Sequence, residues 1–124
     1  MLPFFDSPEA GLTIFEGESG VPFSIARVFT ITTRTQTTRG DHAHRACSQM
    51  LVCLAGRCDV TVDDGQTRVV ETLETPNEGL LVPPGHWLKL AFGTEPSAMA
   101  VFCDRIYEPD DYIHDYAEFL EFRQ

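Results

Sequence analysis

The feature that most limits the fold is a succession of short β-type runs with only a few turn residues between them. The predicted strands cover residues 12–15, 23–33, 50–54, 58–62, 67–73, 79–82, 88–92 and 98–103. They are rich in β-branched, aromatic and other apolar residues, which favour strands. Asp63-Asp64-Gly65 predicts a hairpin turn and Pro83-Pro84-Gly85 a tight turn. Many short strands in this order predict a sandwich or small barrel, and best a jelly roll.

Helical periodicity appears only near the end of the sequence. Pro109 suits a first helical turn, where its missing N–H costs nothing, and Asp110 and Asp111 suit the positive end of the helix dipole. An apolar stripe at three- and four-residue spacing follows, made of Tyr112, Ile113, Tyr116, Phe119 and Leu120. We therefore expect an all-β fold with a short C-terminal helix. Residues 1–124 suit a single domain, without a linker or a repeat.

The net charge excludes two classes of partner. The chain has 9 basic and 19 acidic residues, which give a net charge of −10. An acidic chain is a poor partner for nucleic acid, and this one has no basic amphipathic stretch for a membrane surface.

No apolar run approaches the roughly 18–20 residues that cross a bilayer. The start of the chain also lacks the features of a signal peptide, so we expect a cytoplasmic protein.

The four cysteines are expected to be reduced residues of the core. They are Cys47, Cys53, Cys58 and Cys103. The spacing of Cys53 and Cys58 is not a convincing zinc pattern, and no second pair completes one. Free cysteine is among the most buried residue types.

Basic residues are concentrated in one segment. Four of the nine are Arg27, Arg34, Arg39 and Arg45, and the only acid between them is Asp41. A segment of net charge +3 in an acidic chain fits a local site for a small anion, because the planar guanidinium suits phosphate. Surface arginines paired with the abundant acids are the alternative.

The sharpest local motif is the run RGDHAHR, residues 39–45. On a strand His42 and His44 point to the same face. This HxH resembles the start of the cupin metal pattern, HxH-x4-E-x6-G and then G…PxG-x2-H. Here Gln49 stands at the glutamate position and Leu88 at the last histidine position.

Two imidazoles without a third ligand make a poor metal site. We therefore predict a metal-free cupin in which His42 and His44 serve as acid/base groups, since the pKa of histidine lies near working pH. His86, two residues before the ligand position, is a candidate third ligand. The alternative is a metal-dependent, dioxygenase-like cupin that uses all three histidines.

Several segments in order along nearly the whole chain resemble the sugar 3,4-ketoisomerases. They are RGDHAHR, QMLVCLAG, the DDG hairpin, VPPGHW and YEPDDYIHDYAEFLEF. These cupin enzymes act on dTDP-linked 4-keto-6-deoxyglucose. The resemblance implies a cupin, or double-stranded β-helix, jelly roll that forms a homodimer with exchanged strands. It also implies no metal or other cofactor, and a shift of the ketone from C4 to C3 of the hexose.

The resemblance also implies roles for single residues. The family's two histidines fall on His42 and His44, and its arginine before them falls on Arg39. The sequence departs from the family at two places. A tyrosine of the preceding strand is replaced at Phe29-Thr30, and a Trp-His after the PPG-type turn is Trp87-Leu88 here.

We assign the base to His44, and to His42 the task of orienting it or shuttling a proton. Arg39 stabilises the enediolate or binds the diphosphate. Gln49, His86 and Trp87 are further candidates for substrate binding. Trp87 can stack on base or sugar, although an ordinary core or interface aromatic is the alternative.

The sequence therefore predicts a metal-independent isomerase of a dTDP-linked 4-keto-6-deoxyhexose that works through an enediol. Two alternatives stay open. One is a sugar-nucleotide-binding cupin without catalysis, suggested by the absent tyrosine. The other is a related 3,5-epimerase-type cupin, which also uses a histidine base.

Overall fold

The computed structural model describes all residues, from Met1 to Gln124. The strands are β1 (Phe4–Asp6), β2 (Gly11–Thr13), β3 (Glu16–Gly17), β4 (Gly20–Val21), β5 (Arg27–Thr33), β6 (Thr37–His44), β7 (Gln49–Ala55), β8 (Cys58–Asp63), β9 (Arg68–Leu73), β10 (Gly79–Val82), β11 (Trp87–Phe92), β12 (Ser97–Cys103) and β13 (Tyr112–Ile113). A 3-10 turn at Pro109–Asp111 precedes β13, and the helix α1 (Tyr116–Arg123) follows it. None of the helical segments has the length and apolar character that crossing a bilayer requires.

Two antiparallel sheets form the body of the molecule. The first has four strands in the order β10-β7-β12-β5, and the second has five in the order β13-β6-β11-β8-β9. Neighbours in space are mostly distant in sequence, as in β12 beside both β5 and β7. This architecture confirms the predicted all-β cupin jelly roll with a short C-terminal helix.

The main core lies between the inner faces of the two sheets. Its largest fully buried members include Leu51, Phe92 and Met99. All four cysteines are free and buried, and all belong to this core. The prediction that they are reduced core residues is therefore confirmed.

A second apolar cluster covers the outer face of the four-stranded sheet. Met50, Val52 and Phe102 point outward there and pack against the N-terminal segment. Met50, Leu51, Val52 and Cys53 are all buried, although Leu54 is 40% exposed. The run 50–54 is thus buried on both faces over most of its length, as its continuous hydrophobicity predicted.

The N-terminal third differs from the prediction. The single strand predicted at 12–15 is β2, and it pairs with the unpredicted β1. The strand predicted from residue 23 begins only at Arg27, because Phe23 and Ile25 leave the sheet and pack on the outer cluster. β3 and β4, of two residues each, were also not predicted.

The predicted helix start at Pro109 is wrong. The segment makes one 3-10 turn, and then Tyr112 and Ile113 extend along the end of β6 as β13, where they pair with His44 and Ala43. Pairing with this strand satisfies backbone groups that a helix would have satisfied internally. The helix begins only at Tyr116, and its buried Phe119 packs in a third small cluster with Ile113.

Candidate active site

A cavity of about 370 Å³ opens between the two sheets. Six of the side chains on its wall are apolar: Phe29, Ile31, Leu51, Leu88, Leu90 and Val101. Six others are polar: Arg27, Thr30, Arg39, His42, Gln49 and Tyr112. Three of the predicted site residues, Arg39, His42 and Gln49, therefore meet in one cavity. An apolar pocket with a few convergent polar groups is typical of a small-molecule site.

A β-bulge in β6 brings Arg39 and His42 to the same face. Arg39 pairs with Leu90, and His42 pairs with Leu88. Arg39 and His42 are three positions apart on β6, whereas their partners are only two positions apart on β11, so β6 contains one extra residue. Directly paired residues point to the same side of a sheet, and both leucines line the cavity. Without the extra residue, Arg39 and His42 would face opposite sides.

The bulge depends on two residues with left-handed backbone. Gly40 has φ of 94° and Asp41 has φ of 57°. A Cβ on Gly40 would lie 2.8 Å from the carbonyl oxygen of Leu88. Glycine is therefore required at the second position of the RGDHAHR motif by both conformation and space.

His44 lies beside the cavity and is held by Asp111. Its Nδ1 is 2.8 Å from Asp111 Oδ2, and the same carboxylate accepts hydrogen bonds from the backbone N–H groups of Ala46 and Cys47. Burial opposes ionisation of Asp111, but these hydrogen bonds outweigh it and lower the pKa of the carboxyl below its ordinary value. An ionised carboxylate can only accept, so Nδ1 of His44 carries the proton.

The other ring nitrogen of His44 is consequently a free base. Nε2 is buried and has no hydrogen-bond partner. Burial lowers the pKa of His44, and the carboxylate of Asp111 opposes that shift in part. The ring is therefore neutral at neutral pH, with its lone pair on Nε2.

His42 has a different environment. Its ring lies edge-on to that of His44, with 5.2 Å between the centroids. It forms no ion pair, and burial followed by the nearby His44 lowers its pKa to about 4. His42 is thus a neutral hydrogen-bonding group on the cavity wall, whereas His44 has a carboxylate to stabilise its protonated form.

Tyr112 is a site residue that the sequence reasoning missed. It was assigned to a helical stripe, but on β13 its ring lies 4.4 Å from His44 and 5.2 Å from His42 between centroids. Its hydroxyl oxygen accepts a hydrogen bond from Nη1 of Arg27 at 3.3 Å. Only the resemblance of the segment YEPDDYIHDYAEFLEF to the 3,4-ketoisomerases pointed to Asp111 and Tyr112. Their spacing alone predicted a helix.

The cavity wall carries positive charge. Arg27 and Arg39 both line it, and no carboxylate does. Arg45 instead pairs with Glu118 outside the cavity, at 2.8 Å. Two of the four arginines of the segment thus lie on the cavity wall, and the anion site itself stays a prediction.

The donor set for a cupin metal is incomplete. Gln49 is 2% exposed and directs its amide nitrogen toward Cys103 Sγ at 3.6 Å, while the apolar Leu88 faces His42. His86 hydrogen-bonds to the carbonyl of Pro84 and lines a separate depression. The predicted alternative with His86 as third ligand is therefore not supported by the positions of the three rings.

One other group brings possible metal ligands together: His44, Cys47 and Asp111, within 4.8 Å of one another. His44 and Asp111 already share a hydrogen bond, and the Cys47 thiol donates to the carbonyl of Ser48. The neighbouring Cys103 and then burial raise the pKa of the Cys47 thiol far above its ordinary value. The group is a hydrogen-bonded network rather than a ready metal centre.

Trp87 also lies outside the cavity. Its ring packs edge-on against Tyr116, with 5.2 Å between centroids, and against Phe119 at 5.7 Å. This is the core or interface aromatic that the sequence left open as an alternative. Stacking of Trp87 on a ligand, and contact of His86 with one, stay predictions without a place in this cavity.

Comparisons with known proteins agree with this architecture. The family described as "FdtA: WxcM-like, C-terminal" matches residues 1–124. The chain is 38% identical over 112 residues to a TDP-4-oxo-6-deoxy-alpha-D-glucose-3,4-oxoisomerase of Aneurinibacillus thermoaerophilus, a match that covers 90% of this chain and 81% of that protein.

Two solved structures are similar over nearly the whole chain. A 3,4-ketoisomerase from Helicobacter canadensis has a TM-score of 0.91 and 28% identity, covering 98% of this chain and 92% of its own. QdtA, a sugar 3,4-ketoisomerase from Thermoanaerobacterium thermosaccharolyticum in complex with TDP, has a TM-score of 0.91 and 29% identity, covering 97% and 88%. A mutant of QdtA was solved in complex with TDP-4-keto-6-deoxyglucose.

Proposed function

Because the chain belongs to the FdtA family and is an isomerase of the sugar-nucleotide 3,4-ketoisomerase type, we propose that it moves the ketone of a dTDP-linked 4-keto-6-deoxyhexose from C4 to C3. The reaction needs no net oxidant, since the two carbons exchange oxidation states. The single observation that carries this proposal is the polar wall of one cavity, where His42 adjoins the His44–Asp111 pair and two arginines face no acid.

Binding of the nucleotide diphosphate is assigned to the positive part of the wall. Arg39 is exposed at the cavity, and its guanidinium can hold a phosphate through two parallel hydrogen bonds. The complexes of QdtA with TDP and of its mutant with the keto sugar support a ligand of this class. The diphosphate and base supply binding energy remote from the reacting carbons, which positions the sugar.

His44 is proposed as the base that removes the proton from C3. The C3–H bond breaks, its electron pair forms a double bond to C4, and the carbonyl electrons move to the C4 oxygen. The imidazolium that results is stabilised by Asp111, as the free Nε2 of His44 and its protonated Nδ1 permit. A proton then returns at C4, the C3 hydroxyl gives up its proton as its oxygen becomes the new carbonyl, and the C4 oxygen takes up a proton to become a hydroxyl.

His42 is proposed to hold the enediol(ate) by a hydrogen bond from the cavity wall. Its pKa of about 4 makes it a weak base at neutral pH, so it does not compete with His44 for the proton. These roles are the ones expected from the sequence, with His44 as the base. They are supported by the carboxylate of Asp111, which contacts His44 and not His42.

The direct test is a proton NMR time course with dTDP-4-keto-6-deoxyglucose in deuterated buffer. We expect signals of a 3-keto sugar, with deuterium at C4 where the proton returns.

The variant His44→Ala should lose about 10²–10⁴-fold in turnover, because its base is gone. Its dTDP affinity should stay within about threefold of the wild type, since His44 lies beside the cavity rather than on its positive wall. Full activity of His44→Ala would refute the assignment of the base.

The same experiment separates the alternatives. A cupin without catalysis would bind dTDP and leave the keto sugar unchanged. Thr30 and Leu88, where the family has a tyrosine and a histidine, are the observation that favours it. A 3,5-epimerase would introduce deuterium at C5 as well as at C3, and would give no 3-keto product.

We also propose a homodimer with exchanged strands. β5 is an edge strand of the four-stranded sheet, and an edge presents unpaired backbone groups to another chain. Apolar side chains are exposed along and near it, with Val28 51% exposed and Tyr107 58% exposed. A second copy that lays a strand on this edge would cover both features.

A further inference from the structure

Two buried thiols lie next to each other near the cavity and take no part in the proposed reaction. Cys47 and Cys103 are free cysteines whose side chains both belong to the core between the sheets. Cys103 ends β12 opposite Gln49 of β7, and Cys47 stands two positions before Gln49 along the chain. The N–H of Asp104 donates to the carbonyl of Ser48 at 3.2 Å, and the N–H of Ser48 donates to the Asp104 carboxylate at 2.9 Å. The two cysteines are therefore diagonal neighbours on one face of the sheet, with the backbone between them paired.

We propose that Cys47 and Cys103 form an oxidation site, at which a peroxide joins the two sulfur atoms in a reversible disulfide and lowers the activity of the enzyme. Formation of the bridge does not depend on the proposed function, whereas its effect on activity rests on that function. Two adjacent thiols of which one is the more reactive are typical of a site that responds to oxidants.

Cys103 is the thiol that reacts first. The neighbouring Cys47, the amide of Gln49 and the charge of Arg27 lower the pKa of the Cys103 thiol below its ordinary value, although burial opposes them. Arg27 stands directly opposite Cys103 on β5. Burial raises the pKa of the two other core cysteines instead. Because the thiolate is the nucleophile, oxidation should begin at Cys103 and not at those two.

A small oxidant has a short route to Cys103. The amide nitrogen of Gln49 lies 3.6 Å from the sulfur, and Gln49 lines the cavity. One amide side chain therefore separates the thiol from a space that admits solvent. A hydrogen peroxide molecule is small enough to pass a side chain of this kind, so burial slows the reaction without preventing it.

The oxidation balances with hydrogen peroxide as the only reactant. The Cys103 thiolate attacks one oxygen of the peroxide, a sulfur–oxygen bond forms, and the oxygen–oxygen bond breaks. The hydroxide that leaves takes up the proton lost by Cys103 and becomes water. The sulfur of Cys47 then attacks the sulfenic acid, and the hydroxyl leaves as a second water with the proton of Cys47. Two thiols lose two electrons, and one peroxide gains them.

Closing the bridge moves the chain at Cys47. Diagonal neighbours on paired strands have Cα atoms about 7–8 Å apart, whereas a disulfide holds them at about 4.4–6.8 Å. The N–H groups of Ala46 and Cys47 donate to the Asp111 carboxylate at 2.7 and 3.3 Å. Drawing Cys47 toward β12 pulls these donors away from the carboxylate that contacts His44. The bridge therefore loosens the pair of Asp111 and His44, and turnover should fall.

The test treats the purified protein with hydrogen peroxide and examines it before and after reduction with dithiothreitol. We expect the mass to fall by about 2 Da, the two hydrogens lost when one disulfide forms. Digestion after lysine and arginine should then give peptide 46–57 joined to peptide 90–105. Turnover of dTDP-4-keto-6-deoxyglucose should fall about tenfold or more with the bridge and return after reduction.

Cys53→Ala is the matched control, because Cys53 lies in the same core and in the same peptide as Cys47. This variant should keep both the joined peptides and the reversible loss of turnover. Cys47→Ala and Cys103→Ala should show neither, each compared with its own untreated activity. Thermal unfolding of the three variants shows whether the fold is intact.

Three results would overturn the inference. They are treated Cys53→Ala without joined peptides, a mass loss that persists in Cys103→Ala, and a bridge that forms while turnover stays unchanged. An untreated wild type that does not turn over the keto sugar would overturn the proposed function and the effect on activity. The joined peptides would still decide whether Cys47 and Cys103 form the bridge.

Discussion

At the scale of single residues, one carboxylate distinguishes two adjacent histidines. His42 and His44 stand two residues apart on one strand, and burial lowers the pKa of both. Only His44 has Asp111, which fixes its tautomer and stabilises its protonated form. The difference between the two histidines thus comes from the segment 109–113 rather than from the HxH motif itself.

Replacing Asp111 by Asn should separate tautomer control from binding. Asn can still accept the hydrogen bond from the backbone N–H of Ala46, but it lacks the negative charge, and an amide N–H in the place of Oδ2 would face His44. We expect kcat to fall about 10–1000-fold, with dTDP affinity little changed. Glu118→Gln is the matched control, because Glu118 is an exposed carboxylate that pairs with Arg45 away from the cavity.

The pH profile shows whether Asp111 acts through His44. The wild-type kcat/KM should fall on the acid side with a midpoint below 6.5, since His44 must be neutral and its pKa is lowered from that value. Asp111 raises the pKa of His44, so its removal should move this midpoint to still lower pH. A profile that keeps its midpoint in Asp111→Asn would argue against the pairing as the source of the effect.

At the scale of the elements, an irregularity in β6 makes the site. A regular strand would present His42 and His44 to the cavity and turn Arg39 away. The bulge at Gly40-Asp41 adds one residue and brings the arginine back to the same face. The proposed binding group and the proposed acid/base groups therefore share one strand.

Gly40→Ala should disturb the β-bulge that brings Arg39 to the face of β6 that carries His42. The added methyl would lie 2.8 Å from the carbonyl oxygen of Leu88, at a φ of 94°. We expect a loss of about 2–3 kcal/mol in the free energy of unfolding and a lower kcat/KM. Gly93→Ala is the control, since a Cβ there meets nothing closer than 3.9 Å. Urea denaturation of both variants measures the difference, and equal stabilities would show that the bulge tolerates a side chain.

Much of the fold could be predicted from local patterns. The alternating run 58–62 and the Asp63-Asp64-Gly65 turn predict β8 and its hairpin, because period and turn chemistry are local properties. Tyr112 and Ile113 fit a helical stripe equally well, and only pairing with the distant β6 makes them a strand. The pairing of Asp111 with His44 spans 67 positions, so no spacing rule reveals it.

At the scale of the whole molecule, charge is distributed unevenly. The chain carries a net charge of −10, yet the cavity wall has two arginines and no acid. An anion approaching this protein meets a molecule of net negative charge whose cavity wall carries positive charge. Such a field disfavours anions elsewhere and confines them to the site.

The proposed dimer is tested by size-exclusion chromatography with light scattering. We expect a mass near twice the 13.9 kDa of the chain. Val28→Glu should shift the mass toward the monomer, because it places a charge on the exposed edge of β5. Val69→Glu, a comparable change at 49% exposure on the edge strand β9 of the other sheet, is the control. A wild-type mass of one chain would refute the dimer.

The short β13 has a consequence for the order in which the protein becomes an enzyme during synthesis. Strands β5 to β12 contain both histidines, the bulge and both cavity arginines, and all of them precede residue 104. Asp111 and Tyr112 arrive later, within the last fourteen residues of the chain. A growing chain can therefore pair nearly all of its strands while His44 lacks its carboxylate partner and the cavity lacks the Tyr112 side chain. Under the proposed mechanism, catalysis begins only when residues 109–113 have been made and have paired with β6.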